Sequence, residues 1–276
     1  MGPNGNASDL GFYEKGATPL FACQADQRFS YCLYVPKSYQ PSDPQPLKLA
    51  VFVHGTGRNP FAYQERAAGF ADEHHCLVLC PLFPCGIPDA RGTENYKFVS
   101  FKGIRFDLLL LSMISEVAEI YRLDAARFCL FGFSGGAHFA HRFLYVHPER
   151  LSAVAIDAPG VVTLLDFERD WWCGVRNFSS IFGKELNLDA LRKVAVQTLV
   201  GSDDTATWEI AVQPGWPFWM EGITASGKTR VERLASLGES LRKHGIDVDH
   251  CVVPGVSHEL LLEPALDFFT KVLRRQ

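Results

Sequence analysis

Residues 127–137 read RFCLFGFSGGA. The apolar run from Arg127 to Phe133 is too short for a core helix and reads as a buried strand. The small residues Gly135-Gly136-Ala137 then open a helix. Between the two lies Gly132-Phe133-Ser134-Gly135-Gly136, a G-x-S-x-G turn with a strand before it and a helix after it. Such a turn projects its serine hydroxyl only when it is very tight, which demands neighbours without a Cβ. The helix start that follows lends its dipole and free N–H groups to negative charge. Ser134 is therefore the candidate nucleophile.

Working outward, further apolar runs have the same strand character: Leu47 to Val53, Cys76 to Leu82, Leu151 to Ile156, Val194 to Val200 and Val248 to Val253. Arg28 to Val35 alternates and ends at Pro36. Together they predict a sheet of about six or seven strands. Helical patterns fall between them, with Phe106, Leu109, Leu110, Met113, Val117 and Ile120 at three- and four-residue steps, and Val231, Leu234, Leu237 and Leu241 likewise. Alternating strands and helices predict an α/β fold, a mainly parallel central sheet with helices on both faces and ligand chemistry at the carboxyl ends of the strands. The first twenty or so residues read as a loose lead-in. Two segments break the alternation, about 161–188 and 205–227, and they carry all five tryptophans: Trp171, Trp172, Trp208, Trp216 and Trp219. Such insertions either cover the core with aromatics or wall a pocket, and the five are candidate substrate-binding residues on the second reading.

A serine hydroxyl needs a base to take its proton. Of the nine histidines, His258 follows the last apolar strand in Val253-Pro254-Gly255-Val256-Ser257-His258, before the C-terminal helix, and is the candidate base. His138 and His141 are expected to point away along the helix after the turn, His147 to end it, and His74, His75, His244 and His250 to sit at element ends. A carboxylate must hold the imidazole in one tautomer. Val200-Gly201-Ser202-Asp203-Asp204, after a strand, offers two; Asp157 and Asp166 precede that strand and are weaker. His54-Gly55-Thr56-Gly57 also follows a buried strand. As a nucleotide loop it lacks the third glycine of G-x-G-x-x-G and has Pro60 where a helix should open, so that reading is set aside.

The chain has 276 residues, 47% hydrophobic and 21% charged, with a net charge of −4. That length accommodates a single domain over 1–276. No basic footprint for nucleic acid is present, and no apolar stretch is long enough to span a bilayer. Met1 to Leu20 lacks the pattern of a secretory signal, so a cytoplasmic protein is expected. Cys32, Cys76, Cys80, Cys129 and Cys251 fall in strand-like runs and are expected to be reduced and structural. No zinc-type spacing supports a metal. The sequons Asn6-Ala7-Ser8 and Asn177-Phe178-Ser179 are short enough to arise by chance.

With these residues assembled, the chain resembles the α/β-hydrolase superfamily, in particular the esterase branch that includes polyhydroxybutyrate-depolymerase-like, feruloyl and acetyl-xylan esterases. The likeness runs from Tyr34-Val35-Pro36 through Val53-His54-Gly55, Tyr121-Arg122-Leu123-Asp124-Ala125-Ala126-Arg127 and Gly132-Phe133-Ser134-Gly135-Gly136 to His258. It implies a triad of Ser134, Asp204 and His258, with Asp204 closing a Gly-x-x-Asp pattern, and an oxyanion hole from the backbone N–H groups of Thr56 and Gly135. The expected activity is cleavage of a carboxylic ester of a small, bulky or aromatic substrate, without a cofactor. A lactone, a thioester, an amide or the carbon–carbon bond of a diketone suits the same triad, and a non-catalytic receptor is the alternative from another class.

Overall fold

Leu49, Val51 and Val53 join one hydrophobic cluster, while Ala50 and Phe52 join another. This two-residue period places a sheet between two apolar layers, each closed by helices. The computed structural model describes residues 10–275. In chain order its strands are β1 (Gly16–Ala17), β2 (Phe21–Ala22), β3 (Ser30–Val35), β4 (Lys48–Val53), β5 (Cys76–Leu82), β6 (Ser100–Phe101), β7 (Ile104–Arg105), β8 (Phe128–Phe133), β9 (Leu151–Asp157), β10 (Ala195–Gly201) and β11 (Val248–Val253). The nine-stranded sheet runs β1-β3-β5-β4-β8-β9-β10-β11, with β2 also paired to β3, and β6 and β7 form a separate hairpin. From β5 to β11 all neighbours are parallel, and β3 lies antiparallel to β5.

The helices are α1 (Pro60–Arg66), α2 (Ala68–His74), α3 (Phe106–Ile120), α4 (Gly135–Val146), α5 (Phe178–Phe182), α6 (Leu188–Leu191), α7 (Arg230–Lys243) and α8 (Leu262–Leu273). Helices α3, α4 and α7 cover the layer of Leu49 and Val51, while α1, α2 and α8 cover the layer of Ala50 and Phe52. No helix among the described residues is long and apolar enough to cross a membrane.

The six apolar runs and the alternating segment before Pro36 all became strands. The sheet nonetheless exceeds the expected six or seven because β1 and β2, two residues each, are too short to show a period. They also correct the loose lead-in: Gly16 pairs with Val35, so residues 16–17 belong to the sheet. His250 lies inside β11 rather than at an element end, opposite Thr198, whose hydroxyl meets its Nδ1 at 2.8 Å. Asn6 of the first sequon lies outside the described residues. Asn177 of the second accepts a hydrogen bond from the Trp171 N–H at 2.7 Å.

Strand register sets up the site. Val53 pairs with Gly132, Phe133 with Asp157, Leu199 with Asp157, and Gly201 with Val253. The loops leaving β4, β8, β9, β10 and β11 therefore emerge side by side at one edge of the sheet.

Candidate active site

Ser134 sits between β8 and α4 at φ 51°, ψ −111°, a conformation that residues with a Cβ adopt only when their surroundings hold them there. Here the Ser134 N–H donates to the Asp157 carbonyl at 2.8 Å, and its own carbonyl accepts from Ala137 at 3.0 Å. The flanking glycines are steric necessities. A Cβ on Gly132 would overlap the Gly136 carbonyl, and one on Gly136 would overlap the Val53 carbonyl. The close approach of β8, α4 and β4 that pushes the serine outward is thus available only to this glycine pattern.

The structure brings Ser134, His258 and Asp204 together. His258 Nε2 lies 3.1 Å from Ser134 Oγ, and Nδ1 lies 2.7 Å from Asp204 Oδ2. The imidazole also stacks on Phe133, with ring centroids 4.9 Å apart at 29°. Burial alone would push the Asp204 carboxyl up; the hydrogen bond and charge of His258, joined by Arg230, outweigh it and hold the group below the ordinary value of 3.8. Asp203, one residue earlier, is exposed and accepts from the Ser202 hydroxyl at 2.7 Å. Asp166 pairs with Arg169 on the surface. Asp157 is fully buried, its Oδ2 accepts the Leu261 N–H at 2.8 Å and its Oδ1 has no partner among the described residues. Burial pushes the Asp157 carboxyl well above 3.8. It ties the loop that carries His258 to the end of β9.

The loop after β4 is fixed from several sides. His54 is buried, its Nδ1 facing the Gly55 carbonyl at 2.8 Å and its Nε2 accepting the Phe83 N–H at 3.0 Å. Desolvation lowers its pKa to about 4, so the ring is neutral. Tyr96 donates to the His54 carbonyl at 2.9 Å, and the Gly55 N–H donates to Tyr63 at 3.1 Å. Arg58 reaches back to the Thr56 carbonyl at 2.6 Å. Thr56 N is brought beside Gly135, where an added Cβ would stand 3.0 Å from it. Gly135 opens α4, and first-turn N–H groups have no intrahelical acceptor. The backbone N of Thr56 and the first residue of α4 thus lie close together next to Ser134 in the chain's fold.

A cavity of about 750 Å³ opens over Ser134 and His258. Its apolar wall includes Phe98, Val161, Trp172, Ile210, Trp216 and Phe218. Of the five candidate tryptophans, Trp172 and Trp216 line the cavity. Trp171 is buried against Phe182 and Phe178, with centroids at 4.9 and 6.1 Å, where it completes the core. Trp208 is 76% exposed, and Trp219, also exposed, lies outside the lining. His138 also departs from expectation. One helical turn beyond Ser134 puts it on the same face of α4, where it lines the cavity while its Nε2 accepts the N–H groups of Gly160 and Val161 at 2.9 and 3.2 Å. Burial holds its ring neutral.

Sequence reasoning missed Arg230 and Glu209. Arg230 Nη1 lies 3.1 Å from Asp204 Oδ1, and Nη2 lies 2.8 Å from Glu209 Oε2. One signal was available, since Arg230 is the first residue of α7 and a cation is disfavoured at a helix N-terminus. Nothing local marks Glu209.

No protein-family model matches the chain, and no curated protein matches it in sequence. Several solved structures do match. The chain is similar to poly(aspartic acid) hydrolase-1 from Sphingomonas sp. KT-1, with a TM-score of 0.72 and 18% identity over 95% of this chain and 99% of that one. It is similar to LpqC, a poly(3-hydroxybutyrate) depolymerase from Bordetella parapertussis, with a TM-score of 0.64 and 26% identity over 83% and 78%. An S-formylglutathione hydrolase from Agrobacterium tumefaciens gives 0.61 and 14% over 97% and 98%.

Proposed function

Because the chain has the α/β-hydrolase fold of these structures, we propose that it is a serine hydrolase that cleaves a carboxylic ester through an acyl-enzyme. The observation that carries this reading is the unbroken line from Ser134 Oγ through His258 to Asp204, at 3.1 and 2.7 Å, with Ser134 and His258 lining a cavity. Ser134 Oγ attacks the acyl carbon as its proton passes to His258 Nε2. Asp204 keeps the other ring proton on Nδ1 and stabilises the imidazolium. The carbonyl oxygen, now anionic, is received by the N–H groups of Thr56 and Gly135. Collapse of the tetrahedral adduct returns the proton from Nε2 to the departing alcohol. Water then repeats the sequence on the acyl-serine and releases the acid.

The wall of Phe98, Trp172, Ile210, Trp216 and Phe218 supports a substrate with a bulky apolar or aromatic group, since such surfaces gain most from burying matching area. The test is labelling by a fluorophosphonate, read by intact mass on the wild type and on Ser134→Ala, beside hydrolysis of short and aromatic p-nitrophenyl esters. One adduct per chain, lost with turnover in Ser134→Ala, is expected. Folded protein that takes no label and turns over no ester would overturn the reading.

A further inference from the structure

The guanidinium of Arg230 joins two carboxylates, Asp204 at 3.1 Å and Glu209 at 2.8 Å. Its side chain is 4% exposed and that of Asp204 is fully buried, whereas that of Glu209 is 42% exposed. A buried cation is retained only when it is paired. Capping does not account for it either. Thr229 and Glu232 already form a capping box at the start of α7, and a positive charge at that end opposes the helix dipole. What holds Arg230 in place is the acid that His258 uses.

We propose that Arg230 is a positioning residue for the relay: it fixes the second oxygen of Asp204, offsets part of that carboxylate's charge on His258, and is itself offset by Glu209. This rests on the serine-hydrolase reading. The chain of groups runs Glu209, Arg230, Asp204, His258, Ser134, and its sign alternates. Anionic Asp204 favours a proton on His258, the cation opposes it, and the outer anion weakens that opposition. The other groups nearby do not replace it. Burial pushes the Asp157 carboxyl well above its ordinary value, away from the charged form, and keeps the rings of His138 and His54 neutral. Arg233 donates from Nε and Nη1 to the carbonyls of Gly227, Gly160 and Ile210, whereas the ion pairs of Asp204 and Glu209 are with Arg230. Asp203 and Glu259 face solvent.

Glu209 belongs to the segment whose next three residues, Ile210, Ala211 and Val212, line the cavity. Arg230 thereby connects the wall that meets the substrate to the acid that orients the base. A substrate that shifts this wall changes the partner of Arg230, and through it the ease with which His258 takes a proton.

The test is the pH dependence of fluorophosphonate labelling at Ser134, read by intact mass in full-length Arg230→Met, Arg230→Lys and Glu209→Gln. The acid limb of the rate reports the proton on His258. Arg230→Met is expected to move that limb to higher pH by about half a unit or more. Glu209→Gln is expected to move it to lower pH, and Arg230→Lys to restore it toward the wild type. Opposite shifts from two neighbouring residues are a signature that lost packing alone does not produce. Limbs that stay in place, or move in the same direction, overturn the inference. Should Arg230→Met fail to fold, half-exposed Glu209→Gln and charge-preserving Arg230→Lys still decide it. A wild type that takes no label instead overturns the serine-hydrolase reading, and this inference with it.

Discussion

Asp204 Oδ2 lies 2.7 Å from His258 Nδ1, and the neighbouring Asp203 carboxylate is turned to solvent against Ser202. Successive residues in a turn thus present the same chemical group to opposite environments. Asp204→Asn is expected to lower kcat by about 10⁴-fold with the fold retained, because the amide no longer enforces the required tautomer. Asp203→Asn is expected to stay within about two-fold, as exposed substitutions usually do. Steady-state ester hydrolysis of the two variants checks the pair, and equal losses would show that the relay runs otherwise.

Three buried imidazoles make stability fall in mild acid. Desolvation lowers the pKa of His54 to about 4 and holds those of His138 and His141 well below 6.5. Below pH 6.5 the unfolded chain binds protons at these rings while the folded protein does not. Their contribution is therefore complete above that pH and is lost as pH falls toward the folded values, by up to about 1.4 kcal/mol per pH unit for each ring. Asp157 has the opposite sign. Its raised carboxyl holds a proton to higher pH in the folded state than in the unfolded one, so its contribution declines as pH rises above 3.8. Urea unfolding at pH 7, 6 and 5 should show a falling midpoint, and Asp157→Asn should steepen the fall. A midpoint constant across that range would contradict the neutral assignment of the rings.

Trp216 and Trp208 separate pocket from surface. Trp216 lines the cavity and is 51% exposed, so its removal costs little packing, whereas Trp208 lies outside the lining. Trp216→Ala is expected to raise KM for aromatic esters several-fold, the worth of an aromatic contact of about 0.5–1.5 kcal/mol, with a smaller change for acetyl esters. Trp208→Ala should leave both unchanged. Parallel KM measurements on an acetyl and a benzoyl ester decide it.

What was legible in the sequence depended on whether a feature is local. Strands such as β4 and β8 are continuous apolar runs, and the turn at Ser134 carries its glycines beside it. Both could be read directly, whereas β1 and β2 are two residues long and owe their existence to β3. His258 was found through its place after the last apolar strand. Burial, which separates Asp204 from Asp203, is a property of the assembled turn. The tryptophans divided the same way, since neither Trp171 nor Trp172 differs in local sequence, yet one packs on Phe182 and the other faces the cavity. Glu209 and Arg230, twenty-one positions apart, meet only because α7 begins under the loop that follows β10.

The order of strands has a consequence for when activity can arise during synthesis. Ser134 leaves β8 and Asp204 leaves β10, but the base arrives with β11, whose six ladder pairs to β10 place the turn that carries His258. A chain emerging from the ribosome therefore holds its nucleophile for more than a hundred residues without anything to activate it. On the proposed reading, cleavage requires that residues 248–258 have emerged and docked, because they bring His258 to Ser134. On the same reading, chains interrupted before that point keep the serine without its base.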